Sequence, residues 1–98
     1  MRADYDSEAD ALSIDLRRFE RYERQDRVDD DYCVIGFAAG APARVSLLGP
    51  EAHLDLLDIA AERYDLDAAA LRAAAQAALA APDRVVSLEV AATQVAAR

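Results

Sequence analysis

The sequence predicts one α+β domain, in which a four-stranded antiparallel meander is followed by two helices and a C-terminal strand. In the first half of the chain, apolar residues recur with a period of two between short polar turns. After Gly49–Pro50 the spacing changes to three and four residues. Because 98 residues fill only one hydrophobic core, we assign residues 1–48 to the meander and 49–98 to a helix–helix–strand extension.

The first two predicted strands follow an acidic opening segment. In "ALSIDL", Leu12, Ile14 and Leu16 alternate with more polar residues, which is typical of a strand with one face in a core. Residues 17–28 are compatible with a helix or a strand, because their aromatic residues lie three apart while other residues alternate. We favour a polar edge strand, since charged side chains on an edge discourage pairing with foreign strands.

The next two strands lie on either side of a glycine-containing turn. The run Asp29–Asp31 predicts a turn, because aspartate side chains readily accept hydrogen bonds from nearby backbone N–H groups. The segment "YCVIGF" is predicted to be a central strand, since it is almost continuously apolar. "AAGAP" reverses the chain, and "ARVSLL" completes the meander with Val45 and Leu47 on one face.

Two helices and a strand are predicted for the second half. Pro50 suits the first position of a helix that extends to about Tyr64. Asp67 is a good N-cap for the second helix, which ends before Pro82. "RVVSLEV" alternates as a strand does, and we expect the tail "AATQVAAR" to fray.

Composition limits the classes of partner. The net charge of -8 and the pI near 4.4 disfavour nucleic acid and anionic membranes, and would attract a basic protein instead. The single cysteine, Cys33, permits no internal disulfide, and no segment resembles a signal peptide or a membrane-spanning helix. We therefore expect a cytoplasmic protein with no membrane association.

The acidic opening segment is the first candidate site. Asp6, Glu8 and Asp10 alternate and could contribute to a divalent-metal-dependent enzyme. No complementary histidine or pair of acids follows later in the chain, so a turn that caps backbone groups is the favoured interpretation. His53 is the only histidine, and Cys33 lies in an apolar strand. We therefore expect no catalytic residue, bound metal or cofactor.

A run of arginines between Arg17 and Arg27 is the second candidate. It could bind nucleic acid, but Glu20, Glu23 and Asp26 interleave with the arginines. The favoured interpretation is a mixed-charge face exposed to solvent.

The segment "YDSEADALSIDL", residues 5–16, resembles the opening "YD-x-EADALYI-x-L" of the domain of unknown function 2283 family. The similarity extends through "RVDDDYCVIGF" and "ARVSLL" to about Leu48, although Ser13 stands where that family has an aromatic residue. The resemblance implies a small antiparallel sheet and no catalytic residues. It also implies an antitoxin-like role, because some members look like partners of small ribonuclease-type toxins.

These observations predict a non-catalytic interaction protein, either antitoxin-like or self-assembling, that forms a homodimer or binds a small basic protein. A sheet edge and one helix stripe would provide the contacts, with two arginines beside them. The predicted contact residues are Leu54, Leu57, Ala61, Tyr64, Arg21 and Arg24.

Overall fold

The fold is α+β, with a six-stranded antiparallel sheet and two helices, in a computed structural model that describes residues 1–88. The strands are β1 (Arg2–Asp6), β2 (Ala11–Asp15), β3 (Arg24–Asp29), β4 (Cys33–Ala38), β5 (Ala41–Leu48) and β6 (Val85–Ser87). A 3-10 turn at Pro50–Ala52 precedes the helices α1 (Asp55–Tyr64) and α2 (Ala68–Ala80). The order of strands across the sheet is β3-β4-β5-β2-β1-β6.

The predicted fold class and the two helices are confirmed, but the predicted number of strands is wrong. The additional strand is β1, which pairs with β2 on one side and with β6 on the other. Its sequence, "RADYD", contains two aspartates and has little strand propensity of its own. Pairing on both sides, together with burial of Ala3, stabilises it as a strand.

The strand order also differs from the predicted meander. β2 pairs with β5, so that Leu12 lies opposite Leu47, and residues 16–23 cross to the far edge of the sheet to begin β3. The strand predicted over residues 17–28 is confirmed only in its last part, because strand pairing begins at Arg24. That part is an edge strand with mostly charged side chains, as predicted.

The helix boundaries follow local signals. Gly49 adopts the left-handed conformation, with φ of 55°, and Pro50 opens a 3-10 turn where the sequence predicted the helix to begin. The predicted N-cap is confirmed, because the side chain of Asp67 accepts a hydrogen bond from the N–H of Ala70 at 3.1 Å. α2 ends before Pro82, also as predicted.

The last predicted strand is confirmed in its first half. β6 comprises three residues, and the N–H of Leu88 continues the pairing by donating to the carbonyl of Met1 at 2.8 Å. Glu89 and Val90, which complete the predicted strand, and the tail predicted to fray lie outside the described residues.

One face of the sheet packs against both helices and forms the core. α2 lies over β1 and β2, and α1 contacts α2 and β3. Small residues of α2 are fully buried, which lets its backbone approach the sheet closely. The largest fully buried aliphatic side chains are Leu12, Ile14, Ile35, Val45, Leu47, Leu57 and Leu71.

The opposite face of the sheet carries mainly small and polar side chains, together with Val34 and Leu48. Ser13 lies opposite Ser46 in the central pair of strands, and Asp15 lies opposite Arg44. Within residues 1–88, neither helix packs on this open face, because both pack on the core side. Neither of these helices has the length and apolar character needed to cross a membrane.

Candidate functional site

Most of the acidic turns meet at one end of the sheet. β1, β3 and β5 run in the same direction, so the segments that follow them, and the segment that precedes antiparallel β6, lie at a common end. We call the carboxylates there the acidic rim: Asp6, Glu8, Asp10, Asp29, Asp30, Asp31, Glu51 and Asp83. The topology thus gathers acids that are dispersed over most of the sequence.

The first hairpin of the acidic rim is a capping turn, as predicted. The carboxylate of Asp6 accepts hydrogen bonds from the N–H groups of Glu8 and Ala9, at 3.0 and 3.2 Å. Asp83 accepts from the backbone N–H and the hydroxyl of Ser7, at 2.9 and 2.7 Å. These bonds tie the segment before β6 to the β1–β2 turn.

Hydrogen bonds in this part of the acidic rim shift the pKa values of two side chains, Asp83 and Tyr5. The bonds from Ser7 lower the pKa of Asp83 below its ordinary value, because they favour the ionised form. The hydroxyl of Tyr5 donates to Asp10 at 2.6 Å, and this bond is the main reason that the pKa of Tyr5 rises to about 12. Tyr5 is therefore protonated, and Asp83 ionised, at neutral pH.

The acidic opening segment is the sequence's candidate for the site of a metal-dependent enzyme. Over residues 1–88, no three side chains among histidine, cysteine, aspartate and glutamate are placed to hold a metal ion. The carboxylates of Asp6 and Asp10 instead accept hydrogen bonds from the turn and from Tyr5. This geometry provides no support for the enzyme alternative.

Two adjacent large apolar side chains are exposed beside the acidic rim, and Val85 is exposed separately at the start of β6. Tyr32 and Leu48 are 41% and 47% exposed, and the N–H of Leu48 donates to the carbonyl of Tyr32 at 2.8 Å. We call them the apolar pair. Adjacent exposed apolar residues that are bordered by charges form a candidate protein-binding surface.

The apolar pair is supported by His53. The imidazole stacks on the ring of Tyr32, with 3.9 Å between ring centroids. Its Nδ1 lies 2.9 Å from the carbonyl oxygen of Gly49 and 3.1 Å from that of Leu48. Because carbonyl oxygens only accept, these contacts assign a proton to Nδ1 and fix the orientation of the ring.

The predicted helix stripe faces the core. Leu57 and Ala61 are buried, while Leu54 and Tyr64 are half-buried and pack against the same cluster. The hydroxyl of Tyr64 donates to Asp26 at 3.3 Å. In this structure, these side chains join α1 to the sheet and do not form a free surface.

The two predicted contact arginines lie at the opposite end from the acidic rim. The guanidinium of Arg24 lies 3.8 Å from the centroid of the Phe37 ring and pairs with Asp26 at 2.7 Å. Arg21 is exposed in the segment that crosses from β2 to β3. These arginines therefore do not form one surface with the apolar pair.

Cys33 is buried in β4, and burial, followed by the nearby charge of Asp29, raises its pKa to about 11. We expect iodoacetamide at neutral pH to alkylate the native protein at least about 100-fold more slowly than the unfolded chain, because the thiolate is the reactive species. Mass spectrometry of timed samples, with and without denaturant, measures both rates. Equal rates in the two conditions would contradict the buried position.

Sequence reasoning missed the apolar pair. The sequence places Tyr32 in the predicted central strand "YCVIGF" and Leu48 on the polar face of the predicted strand "ARVSLL". An apolar residue on the polar face of a strand indicates an exposed apolar side chain, but it does not identify the residues beside it. Only the adjacency of β4 and β5 places these two residues together.

Comparison with known proteins identifies no relative: no protein-family model, curated protein or solved structure matches the chain. The resemblance to the domain of unknown function 2283 family therefore stays a prediction.

Proposed function

We propose that this chain is a non-catalytic interaction protein that binds a small basic protein, as an antitoxin binds its toxin. The observation that carries the proposal is the exposed apolar pair, Tyr32 and Leu48, at an end of the sheet that also carries the acidic rim. The two parts have different physical roles in binding.

The apolar pair provides the apolar surface that would be buried, and so removed from water, when the partner binds. Hot spots of protein interfaces combine a few aromatic or aliphatic anchors with a surrounding polar ring that excludes water. Tyr32 is suited to this role, because its stacking on His53 limits the conformational entropy that binding would cost.

The acidic rim provides attraction and selectivity. The acidic rim comprises eight carboxylates, and the net charge of the whole chain, -8, has the same sign. A predominantly negative field accelerates the approach of a basic partner and repels acidic proteins, even with Arg27 and Arg84 at the same end. The rim therefore favours a basic partner, which is compatible with the antitoxin-like role that the family resemblance implies.

The test begins with capture of the partner from the host on the tagged chain, in moderate salt, and identification of a stoichiometric basic protein by mass. Association of the purified partner is then measured with Glu8→Gln/Asp30→Asn/Asp31→Asn, whose side chains are exposed. We expect the association rate to fall about tenfold at low ionic strength, and the difference to shrink as salt is added.

The matched control is Glu20→Gln/Glu62→Gln/Asp65→Asn, which removes the same charge from exposed positions outside the acidic rim. This control should retain the association rate to within about twofold. Recovery of no basic protein, or equal losses in both variants, would refute the proposal. Recovery of further copies of the chain alone would favour the self-assembling homodimer.

A further inference from the structure

A cavity of about 170 Å³ lies at the end of the sheet opposite the acidic rim. The strands β1 and β2 and the segment that crosses from β2 to β3 each contribute to its wall. The lining residues are Met1, Arg2, Asp15, Arg17, Arg18 and Phe19. We call this cavity the arginine pocket.

The charge of the arginine pocket is positive, although the chain is acidic. Asp15 is its only acidic lining residue, and both carboxylate oxygens accept hydrogen bonds from the guanidinium of Arg44. The guanidinium of Arg17 donates to the carbonyl oxygens of Ala41 and Pro42, at 3.3 and 3.4 Å, which holds it in place without neutralising it. The charges of three guanidinium groups therefore exceed that of one paired carboxylate.

The tertiary structure separates charges that are interleaved in the sequence. Neither Glu20 nor Glu23 lines the pocket, and the carboxylate of Glu23 accepts a hydrogen bond from the N–H of Gly40 at 3.0 Å. Arg2 joins Arg17 and Arg18 because β1 pairs with β2, which places Arg2 opposite Asp15. Glu20 and Glu23 are therefore not part of the pocket wall, in which three arginines face one aspartate.

We propose that the arginine pocket binds the phosphate group of a small phosphate monoester. Planar guanidinium groups donate paired hydrogen bonds that match the oxygens of phosphate. The ring of Phe19 offers an apolar wall for the remainder of the molecule. The cavity volume of about 170 Å³ suits a small ligand, since pockets for drug-sized ligands are typically about 300–1,000 Å³. The net charge of -8 disfavours a long polyanion.

The first test uses inorganic phosphate and phenyl phosphate as probes on the full chain, followed by nuclear magnetic resonance of the backbone amides. We expect saturable shifts at Arg2 and at residues 15–19, with tighter binding of phenyl phosphate because its ring can contact Phe19. Shifts that do not saturate, or that centre on the acidic rim, would overturn the proposal.

The second test compares two double variants with the same net charge. Arg2→Gln/Arg18→Gln removes two exposed guanidiniums from the pocket, and Arg21→Gln/Arg84→Gln removes two exposed guanidiniums elsewhere. We expect the first variant to bind phenyl phosphate at least about tenfold more weakly than the wild type. The second should change the affinity by less than about twofold, because only the long-range field differs.

Equal weakening in the two variants would show a general effect of charge and overturn the site. A short single-stranded oligonucleotide that binds more tightly than phenyl phosphate, with a steep dependence on salt, would overturn the small-ligand proposal in favour of nucleic acid. Phosphate binding and binding of the proposed protein partner are tested separately. The acidic-rim variants leave every lining residue of the arginine pocket unchanged.

Discussion

Leu57→Ala is expected to lower the free energy of unfolding by about 2–5 kcal/mol, the largest effect that we predict for this chain. Leu57 is fully buried in the cluster formed by the sheet and both helices. Truncation removes its apolar contacts and leaves a cavity that the surrounding side chains fill only in part. Urea denaturation followed by circular dichroism measures the change.

The control for Leu57→Ala is Leu48→Ala, the same substitution at an exposed leucine. We expect Leu48→Ala to change the free energy of unfolding by less than about 0.5 kcal/mol. The comparison tests whether the stripe of α1 belongs to the core or to a partner surface. A small loss of stability for Leu57→Ala, equal to that for Leu48→Ala, would contradict the core position.

Gly36→Ala is expected to destabilise the protein by about 1–3 kcal/mol, because the added methyl group has no room. The ring of Tyr22 lies across Gly36 on the open face, and a Cβ atom at position 36 would lie 2.2 Å from its Cε1. Tyr22 must move, and its stacking on Phe19, with 5.1 Å between ring centroids, would be disturbed. Thermal or urea denaturation measures the loss.

The sign of this effect should reverse when Tyr22 is absent. In a Tyr22→Ala background, Gly36→Ala should stabilise the chain by about 0.5–1 kcal/mol, because alanine loses less backbone entropy than glycine in a strand. A double-mutant cycle over the two positions isolates the contact. Equal destabilisation in both backgrounds would show that the methyl group meets something other than Tyr22.

The contact at Gly36 also bears on the arginine pocket. Phe19, which lines that pocket, stacks on Tyr22, and the guanidinium of Arg44 lies 5.2 Å from the Phe19 ring centroid. The absence of a side chain at position 36 therefore helps to place the segment that carries Arg17 and Arg18. A backbone feature of β4 thus contributes to the geometry of a proposed binding site.

The acidic rim and the arginine pocket could be predicted from sequence to different degrees. The sequence predicts the acidic turns, but their common location depends on the directions of strands that are distant in sequence. The charge of the arginine run is evident in the sequence, whereas its position beside Arg2 depends on β1, a strand that no local pattern predicts. The adjacency of Tyr32 and Leu48 depends on the pairing of two strands, although Leu48 alone is already visible in the sequence as an apolar residue on the polar face of its strand.

The sequence by itself determined the α+β class, the positions of β2, β4 and β5, and the approximate extents of both helices. These features arise from periodicity, caps and turns, which act between residues close together in the chain. Only the tertiary structure decided that Arg2–Asp6 is a strand, that β2 lies beside β5, and that one face of α1 is buried. These features depend on backbone pairing and apolar burial between segments that are far apart in the chain. A local sequence pattern cannot predict the free energy of such contacts.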